Sequence, residues 1–158
     1  MNPLILSLLM ALAAPMPLLK MAAASQTTDP VHTLMVLRGH VVCLDAKGKP
    51  LDGILGCNEP GVRYAFLDKD DKRYDVSATD ANAAIFTDVR VRQRELQITA
   101  QLTAKHQLEL IRVQSLREGK LYDLYYFCEL CNIRAYAPGL CPCCRNEMEF
   151  RETPATDQ

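Results

Sequence analysis

Five cysteines near the C-terminus are the residues of this chain best suited to chemistry. Cys128 and Cys131 form one C-x2-C pair, and after nine further residues come Cys141, Cys143 and Cys144. Two such pairs can place four thiolates at the corners of a tetrahedron, which is the arrangement that Zn²⁺ accepts in a closed structural site. The spacing of the cysteines therefore predicts a metal site.

The residues around these cysteines resemble the two knuckles of a zinc ribbon or rubredoxin-like site. Tyr126 and Phe127 precede the first pair, and Met148 and Phe150 follow the second, so that apolar side chains cover a site too small for its own core. The resemblance implies a zinc-ribbon-like element over residues 127–150. Its predicted ligands are Cys128, Cys131, Cys141 and Cys144, with Cys143 as a spare thiol.

Zn²⁺ is the preferred ion because nothing in the sequence demands redox chemistry, although a rubredoxin-type iron fits the same four thiolates. Disulfides and free thiols are the alternatives to a metal. Cys141 to Cys144 also match the C-P-x-C form of thioredoxin-like active sites, but only fourteen residues follow Cys144, too few for the α/β domain that carries that motif. A c-type haem site needs His after the pair, where Asn132 and Arg145 stand.

Cys43 and Cys57 lie fourteen residues apart, outside the cluster. In an exported protein this separation predicts a disulfide that closes the first loop onto the first strand, worth about 3 kcal/mol. The alternative is a pair of buried thiols that pack as small apolar residues.

The N-terminus has the pattern of an export signal. Residues 3–19 are almost wholly apolar, and Ala22 to Ala24 supply the small residues that signal peptidase accepts before Ser25. We therefore expect a cleaved signal peptide over residues 1–24, a linker over 25–33, no membrane span in the mature chain, and a periplasmic or secreted location. An uncleaved membrane anchor is the alternative, but the apolar stretch is short for a bilayer and is broken by Pro15 and Pro17.

The middle of the chain reads as mainly β. Strands are predicted over residues 34–44, 62–67, 72–76, 96–102, 108–116 and 121–127, and a short helix over 80–86 follows the capping residue Asp80. Gly39 inside the first strand predicts a bulge or bend. Three strands, this helix and the next two strands follow the element order of an OB-fold, a five-stranded, partly open barrel, and this resemblance predicts a barrel over residues 34–126. Residues 151–158 are expected to form a flexible tail.

The other polar residues that could bind a metal or an anion are expected to be solvated surface residues. His40 is expected to face solvent, and the Asp68 to Asp71 hairpin tip lacks the glycine and distal glutamate of a calcium loop. Arg90, Arg92 and Arg94, spaced by two, are expected to line one side of an extended segment as a solvated edge. No catalytic constellation stands out, so an enzyme is not expected.

These patterns favour an exported binding or scaffold module that contacts a protein partner in the cell envelope. The net charge of −1 argues against nucleic acid, and the absence of Trp removes the usual stacking platform. The alternative is a thiol-redox or metal-handling protein of the cell envelope that uses Cys141, Cys143 and Cys144. Neither of these two interpretations identifies the ligand or the biological process.

Overall fold

The computed structural model describes residues 33–51, Cys57 and residues 59–156. The predicted leader, and the linker up to residue 32, lie outside the described residues. Within them, no helix has the length and apolar character needed to cross a membrane.

Strands dominate the described residues, and the mainly-β prediction is confirmed. The strands, in chain order, are β1 Leu34–Leu44, β2 Arg63–Asp68, β3 Arg73–Asp75, β4 Leu96–Leu102, β5 Leu108–Arg117, β6 Lys120–Cys128, β7 Ile133–Ala135 and β8 Glu149–Pro154. A 3-10 helix, Ala81–Thr87, and a single helical turn, α1 Val89–Arg92, connect β3 to β4.

All eight strands belong to one antiparallel sheet. Its order is β3-β2-β1-β4-β5-β6-β7, and β8 pairs with β6. The sheet is not closed, and it has three strands more than the five of the predicted barrel. An isolated parallel bridge between Val76 and Leu108 brings the end of the β2–β3 hairpin to β5, where the Ser77 N–H donates to the Leu108 carbonyl over 2.8 Å.

Gly39 marks the point at which β1 changes its partner. Residues 34–39 pair with β4, and residues 39–44 pair with β2. A Cβ atom at Gly39 would lie 1.8 Å from the carbonyl oxygen of Leu67, far inside van der Waals contact. Glycine is therefore required here because the backbones of β1 and β2 approach closely.

The core forms on one face of this sheet. On β4 the side chains of Leu96, Ile98 and Ala100 are fully buried, as the alternating pattern predicts. Phe66 from β2 and Phe86 from the 3-10 helix are likewise fully buried in the same cluster.

The connection from β3 to β4 differs from its prediction in one respect. Asp80 caps the 3-10 helix by accepting from the Asn82 N–H over 2.8 Å, as expected for a capping residue. Arg90, Arg92 and Arg94, however, do not line an extended segment. The Asp88 side chain accepts from the Arg90 N–H over 2.8 Å and thereby starts the helical turn α1. Arg90 and Arg94 both reach the ring of Phe150, whereas Arg92 is buried and donates to the Thr87 carbonyl over 2.8 Å.

The expectation of a flexible tail from residue 151 is wrong for its first part. Residues through Pro154 belong to β8, which pairs with β6 from Tyr122 to Phe127. Glu152 and Phe150 hold this strand to the rest of the sheet through contacts described below. The predicted boundary at residue 127 also falls inside β6, since this strand belongs both to the hairpin with β5 and to the pairing with β7 and β8.

Candidate metal centre

The first cysteine pair lies in the turn between β6 and β7. Cys128 is the last residue of β6 and pairs with Ile133, the first residue of β7. Between them, Asn132 adopts a left-handed conformation with φ of 53°. Asn tolerates this region better than most residues do, and the resulting tight reversal brings Cys131 back towards Cys128.

The second cysteine pair lies in a turn of the same kind. The Cys141 N–H donates to the Asn146 carbonyl over 2.8 Å, and the Arg145 N–H donates to the Cys141 carbonyl over 2.9 Å. Arg145, directly after Cys144, has a φ of 64°. It therefore corresponds to Asn132 in the first turn, and in both turns a left-handed residue follows the second cysteine.

The two turns bring together the four cysteines predicted as ligands. The Sγ atoms of Cys128, Cys131, Cys141 and Cys144 all lie within 4.8 Å of one another, and those of Cys128 and Cys144 are 3.5 Å apart. Four thiolates at the usual Zn–S distance of about 2.3 Å from a shared ion would be separated by about 3.8 Å. The cluster is thus able to hold a metal ion.

The first cysteine of each pair is buried, and the second is partly exposed. Cys128 is 3% exposed and Cys141 is fully buried, whereas Cys131 and Cys144 are intermediate. Cys143 lies outside the group of four and is exposed. The predicted spare thiol is therefore the one cysteine among residues 128–144 that faces solvent.

Backbone amides favour the thiolate form of Cys141. The N–H groups of Cys144 and Cys143 hydrogen-bond to its sulfur and lower the pKa of Cys141 to about 7. This arrangement also distinguishes Cys141 from Cys143 as a ligand, because the turn directs two amides at the sulfur of Cys141.

Crowding of the sulfurs acts in the opposite direction on the pKa values of Cys128 and Cys131. The Cys131 N–H acts to lower the pKa of Cys128, but burial and the neighbouring thiols of Cys144 and Cys141 raise it overall. Hydrogen bonds with the thiols of Cys143 and Cys144 raise the pKa of Cys131 strongly. Four thiolates in this space need a positive charge between them, which a divalent metal would supply.

Three of the apolar residues predicted to cover the site belong to the main core or pack against it. Tyr126 and Phe150 pack with ring centroids 5.5 Å apart, and Met148 and Phe150 both pack against the core cluster. The outer surface is different, since Leu130 and Leu140, next to the ligands, are 74% and 56% exposed.

A network of partly buried ion pairs, which sequence reasoning missed, connects β6 and β8 to the residues around α1. Glu152 accepts two hydrogen bonds from the Arg94 guanidinium, over 2.9 and 2.7 Å, and one from the Ser115 hydroxyl over 2.7 Å. These bonds, Arg94 first, hold the pKa of Glu152 below its ordinary value. The predicted tail contained Glu152, so nothing in the sequence pattern drew attention to it.

A second part of this network centres on Asp88. Its carboxylate accepts from the Tyr126 hydroxyl over 2.8 Å and pairs with Arg90 over 2.6 Å. Burial alone would raise the pKa of Asp88, but the hydrogen bonds from Arg90 and Tyr126 outweigh it and leave the pKa lowered. Phe150 lies under both guanidinium groups, 4.6 Å from Arg90 and 5.1 Å from Arg94. The strand after the second knuckle is thus attached to α1.

The predicted disulfide is present in the structure. Cys43 and Cys57 are bonded, with their Cα atoms 5.4 Å apart, and both are buried. The Tyr64 hydroxyl donates to the Cys57 carbonyl over 3.3 Å, so the bridge also contacts β2.

The remaining predicted residues occupy ordinary positions. His40 is exposed on β1. Asp68 accepts from the N–H groups of Asp70 and Lys72, both over 2.9 Å, which is the turn chemistry expected of a hairpin tip.

Comparisons with models of protein families, with curated proteins and with solved structures gave no match to this chain. Its function is therefore argued from the geometry of the site alone.

Proposed function

We propose that this protein is an exported binding or scaffold module in which an OB-like barrel carries a structural zinc site and contacts a protein partner. The observation that carries the proposal is the closed set of four cysteines, whose sulfurs lie within 4.8 Å of one another. Catalytic zinc sites keep one position for water or substrate, whereas four protein thiolates fill a tetrahedral ion. This donor set favours a structural role, without an enzymatic reaction at the metal.

Zinc is favoured over iron by the same donor set together with the proposed location. Zn²⁺ has no redox chemistry of its own, so a thiolate-bound zinc survives in an oxidising compartment without changing its charge. Iron in the same four thiolates remains the second assignment, and the metal analysis below distinguishes the two.

The OB-like barrel is supported by the order of the first five strands. β1 lies between β2 and β4, β3 lies outside β2, and β5 lies outside β4. The parallel bridge of Val76 with Leu108 joins the two ends of this five-stranded part, and the helical connection follows β3. An OB-fold is a partly open barrel of five strands in which such a contact joins the third strand to the fifth.

Export is supported by the disulfide between Cys43 and Cys57, because disulfides persist in oxidising compartments. A protein partner is supported by exposed apolar side chains on β1 and in the two cysteine turns. Leu34 and Val36 are 64% and 62% exposed on β1, and Leu130 and Leu140 flank the metal ligands. Clusters of exposed apolar residues of this kind mark surfaces that contact other proteins.

The zinc proposal is tested by metal analysis of protein purified from the compartment where it accumulates. We expect about one Zn²⁺ per chain, lost from a Cys128→Ser variant. Val36→Ser, a change on the exposed face of β1, is the matched control and should keep the metal. Folded wild-type protein that contains no metal and in which all five cysteines outside the disulfide are free thiols would contradict the proposal.

The thiol-redox function remains a second candidate because Cys143 is exposed. In a closed zinc site, attack by the bound thiolates on a substrate disulfide is slow, because the ion holds their charge. Rapid disulfide reductase turnover by the metal-loaded protein would favour this second candidate over the binding module.

A further inference from the structure

The β5–β6 hairpin opens into a cleft that none of the functions above uses. The two strands pair only from Gln114 to Arg117 on β5. Beyond that point β5 remains with β4, while β6 continues with β7 and β8. The space between them is a cleft of about 570 Å³, within the range of about 300–1,000 Å³ typical of small-molecule sites.

The floor of the cleft is apolar and its walls carry exposed apolar side chains. Ile85 and Leu124 line it and are nearly fully buried. Ile111 and Tyr136 also line it, and they are 52% and 59% exposed. An apolar body placed between them would remove the exposed part of both side chains from water, which is favourable.

The cleft is lined by two arginines, Arg112 and Arg134, and by one carboxylate, Asp123, so its net charge is positive. Asp123 is neutralised by Arg112, which donates to both of its carboxylate oxygens over 2.7 and 3.0 Å, and it also accepts from the Gln114 amide over 2.9 Å. Arg134 stacks on the Tyr125 ring at 3.9 Å from its centroid. No ion pair joins Arg134 to an acidic residue within the described part of the chain. It is exposed and held in place beside the apolar walls.

We propose that this cleft binds a small organic anion, with an apolar body between Ile111 and Tyr136 and one carboxylate or sulfonate on Arg134. The pairing is favoured because guanidinium groups bind such anions with two parallel hydrogen bonds. Stacking on Tyr125 fixes the guanidinium plane before the ligand arrives, so less side-chain freedom is lost on binding. The inference goes beyond the binding module proposed above, since it names a small molecule and a site separate from the metal.

The test uses two fluorescent probes with the same ring system, anilinonaphthalenesulfonate, which is an anion, and phenylnaphthylamine, which is neutral. The full-length, metal-loaded protein should bind the anionic probe at one saturable site. Arg134→Gln should weaken the anionic probe about tenfold and leave the neutral probe unchanged. Tyr136→Ser should weaken both probes. Arg38→Gln, on β1 and outside the cleft, is the matched control and should change neither.

The position of the bound probe is checked by amide chemical shifts. Changes should concentrate at residues 111–113 and 134–136. Shift changes confined to Leu34 and Val36 would overturn the proposal, since they would place the probe on the exposed face of β1. Equal binding of the anionic probe by wild type and Arg134→Gln, or the lack of any saturable binding, would also overturn it. These results do not depend on which metal the knuckles hold.

Discussion

Cys143 is the most exposed of the five cysteines between residues 128 and 144. It lies between Cys141 and Cys144, yet it is outside the group whose sulfurs converge. The reason is the geometry of the turn, which directs the amides of residues 143 and 144 at the sulfur of Cys141 and leaves Cys143 exposed. The C-x2-C spacing predicted Cys141 and Cys144 as ligands and Cys143 as the spare thiol, and the turn supplies a physical reason for that choice.

Replacing single cysteines should separate the two roles. Cys143→Ser should keep its metal and nearly all of its stability, because a spare thiol supplies neither a ligand nor much buried area. Cys141→Ser should lose the metal and unfold the two knuckles. The measurements are metal content and thermal denaturation. Before substitution, an alkylating reagent should modify one thiol, at Cys143, while the metal stays bound. A metal-free Cys143→Ser protein would show that the ligand assignment is wrong.

Glu152 should contribute stability that depends on pH. Arg94 and Ser115 lower the pKa of Glu152 in the folded protein, whereas a Glu in the unfolded chain has a pKa of about 4.3. Its contribution is therefore fully present above that pH and is lost as the pH falls through the lower, folded value. Glu152→Gln should cost about 2 kcal/mol at neutral pH, and the difference from wild type should shrink under acid.

The measurement is urea denaturation of both proteins from neutral pH, through the pKa of an unfolded Glu at about 4.3, to the lowest pH at which wild type is folded. Glu109→Gln is the matched control, because the Glu109 carboxylate is exposed and bonded only by the Gln101 amide among the described residues. A difference between Glu152→Gln and wild type that stays constant across this range would rule out the titration argument.

At the scale of elements, the success of each prediction depended on whether its pattern is local. The alternation from Leu96 to Leu102 specifies a half-buried strand by itself, and β4 has those bounds. The C-x2-C spacing is likewise a local pattern, and it predicted the four cysteines whose sulfurs converge. β8 could not be predicted in this way, because its residues have the polar pattern of a tail. Only their partners on β6 and just after α1 show that they form a strand. Those partners are remote in sequence, and Arg94 is 58 residues from Glu152.

Shortening the chain tests the structural role of β8. A chain that ends at Phe150 lacks Glu152 and most of the pairing with β6, so it should lose the cooperative unfolding transition or unfold at a much lower temperature. A chain that ends at Ala155 keeps the strand and the bond from the Ala155 N–H to the Leu121 carbonyl, and it should match wild type. Equal melting temperatures for the two shortened chains would restore the flexible-tail prediction.

A second prediction concerns Gly39, where β1 changes its partner from β4 to β2. Gly39→Ala should destabilise the fold by about 3 kcal/mol, because the new methyl group would collide with the Leu67 backbone and the two strands would have to separate. Val36→Ala, on the exposed face of the same strand, should change stability by less than about 0.5 kcal/mol. Chemical denaturation of both variants measures the difference. Equal stabilities would mean that β1 and β2 can move apart freely.

For the molecule as a whole, the candidate metal centre and the main core share β6. Tyr126, two residues before the predicted ligand Cys128, is fully packed in the core and donates to Asp88 at the start of α1. Phe150, on the strand that follows the second knuckle, stacks under Arg90 and Arg94. The knuckles therefore do not form an independent appendage, and their folding free energy is available to the rest of the sheet.

Metal removal should lower the stability of the entire described fold. Treatment with a strong chelator, without reductant so that the Cys43–Cys57 disulfide remains, should reduce the melting temperature by about 10 °C while one cooperative transition is kept. Calorimetry with and without chelator is the measurement. Adding Zn²⁺ back should restore the original value. A sheet that melts at an unchanged temperature after the metal is removed would show that the two parts are uncoupled.

The pairing of β8 with β6 also bears on how the chain folds during synthesis. Among the described elements β8 leaves the ribosome last, yet it supplies Glu152 to Arg94 and Phe150 to the core face of Tyr126. The contacts that complete the sheet are thus distant in sequence, and such contacts form slowly because a long loop must close first. A chain still emerging, whether from the ribosome or through a membrane channel, would remain incompletely folded until its final strand arrived. That delay is compatible with export in an unfolded state, before the cysteines meet their metal or each other.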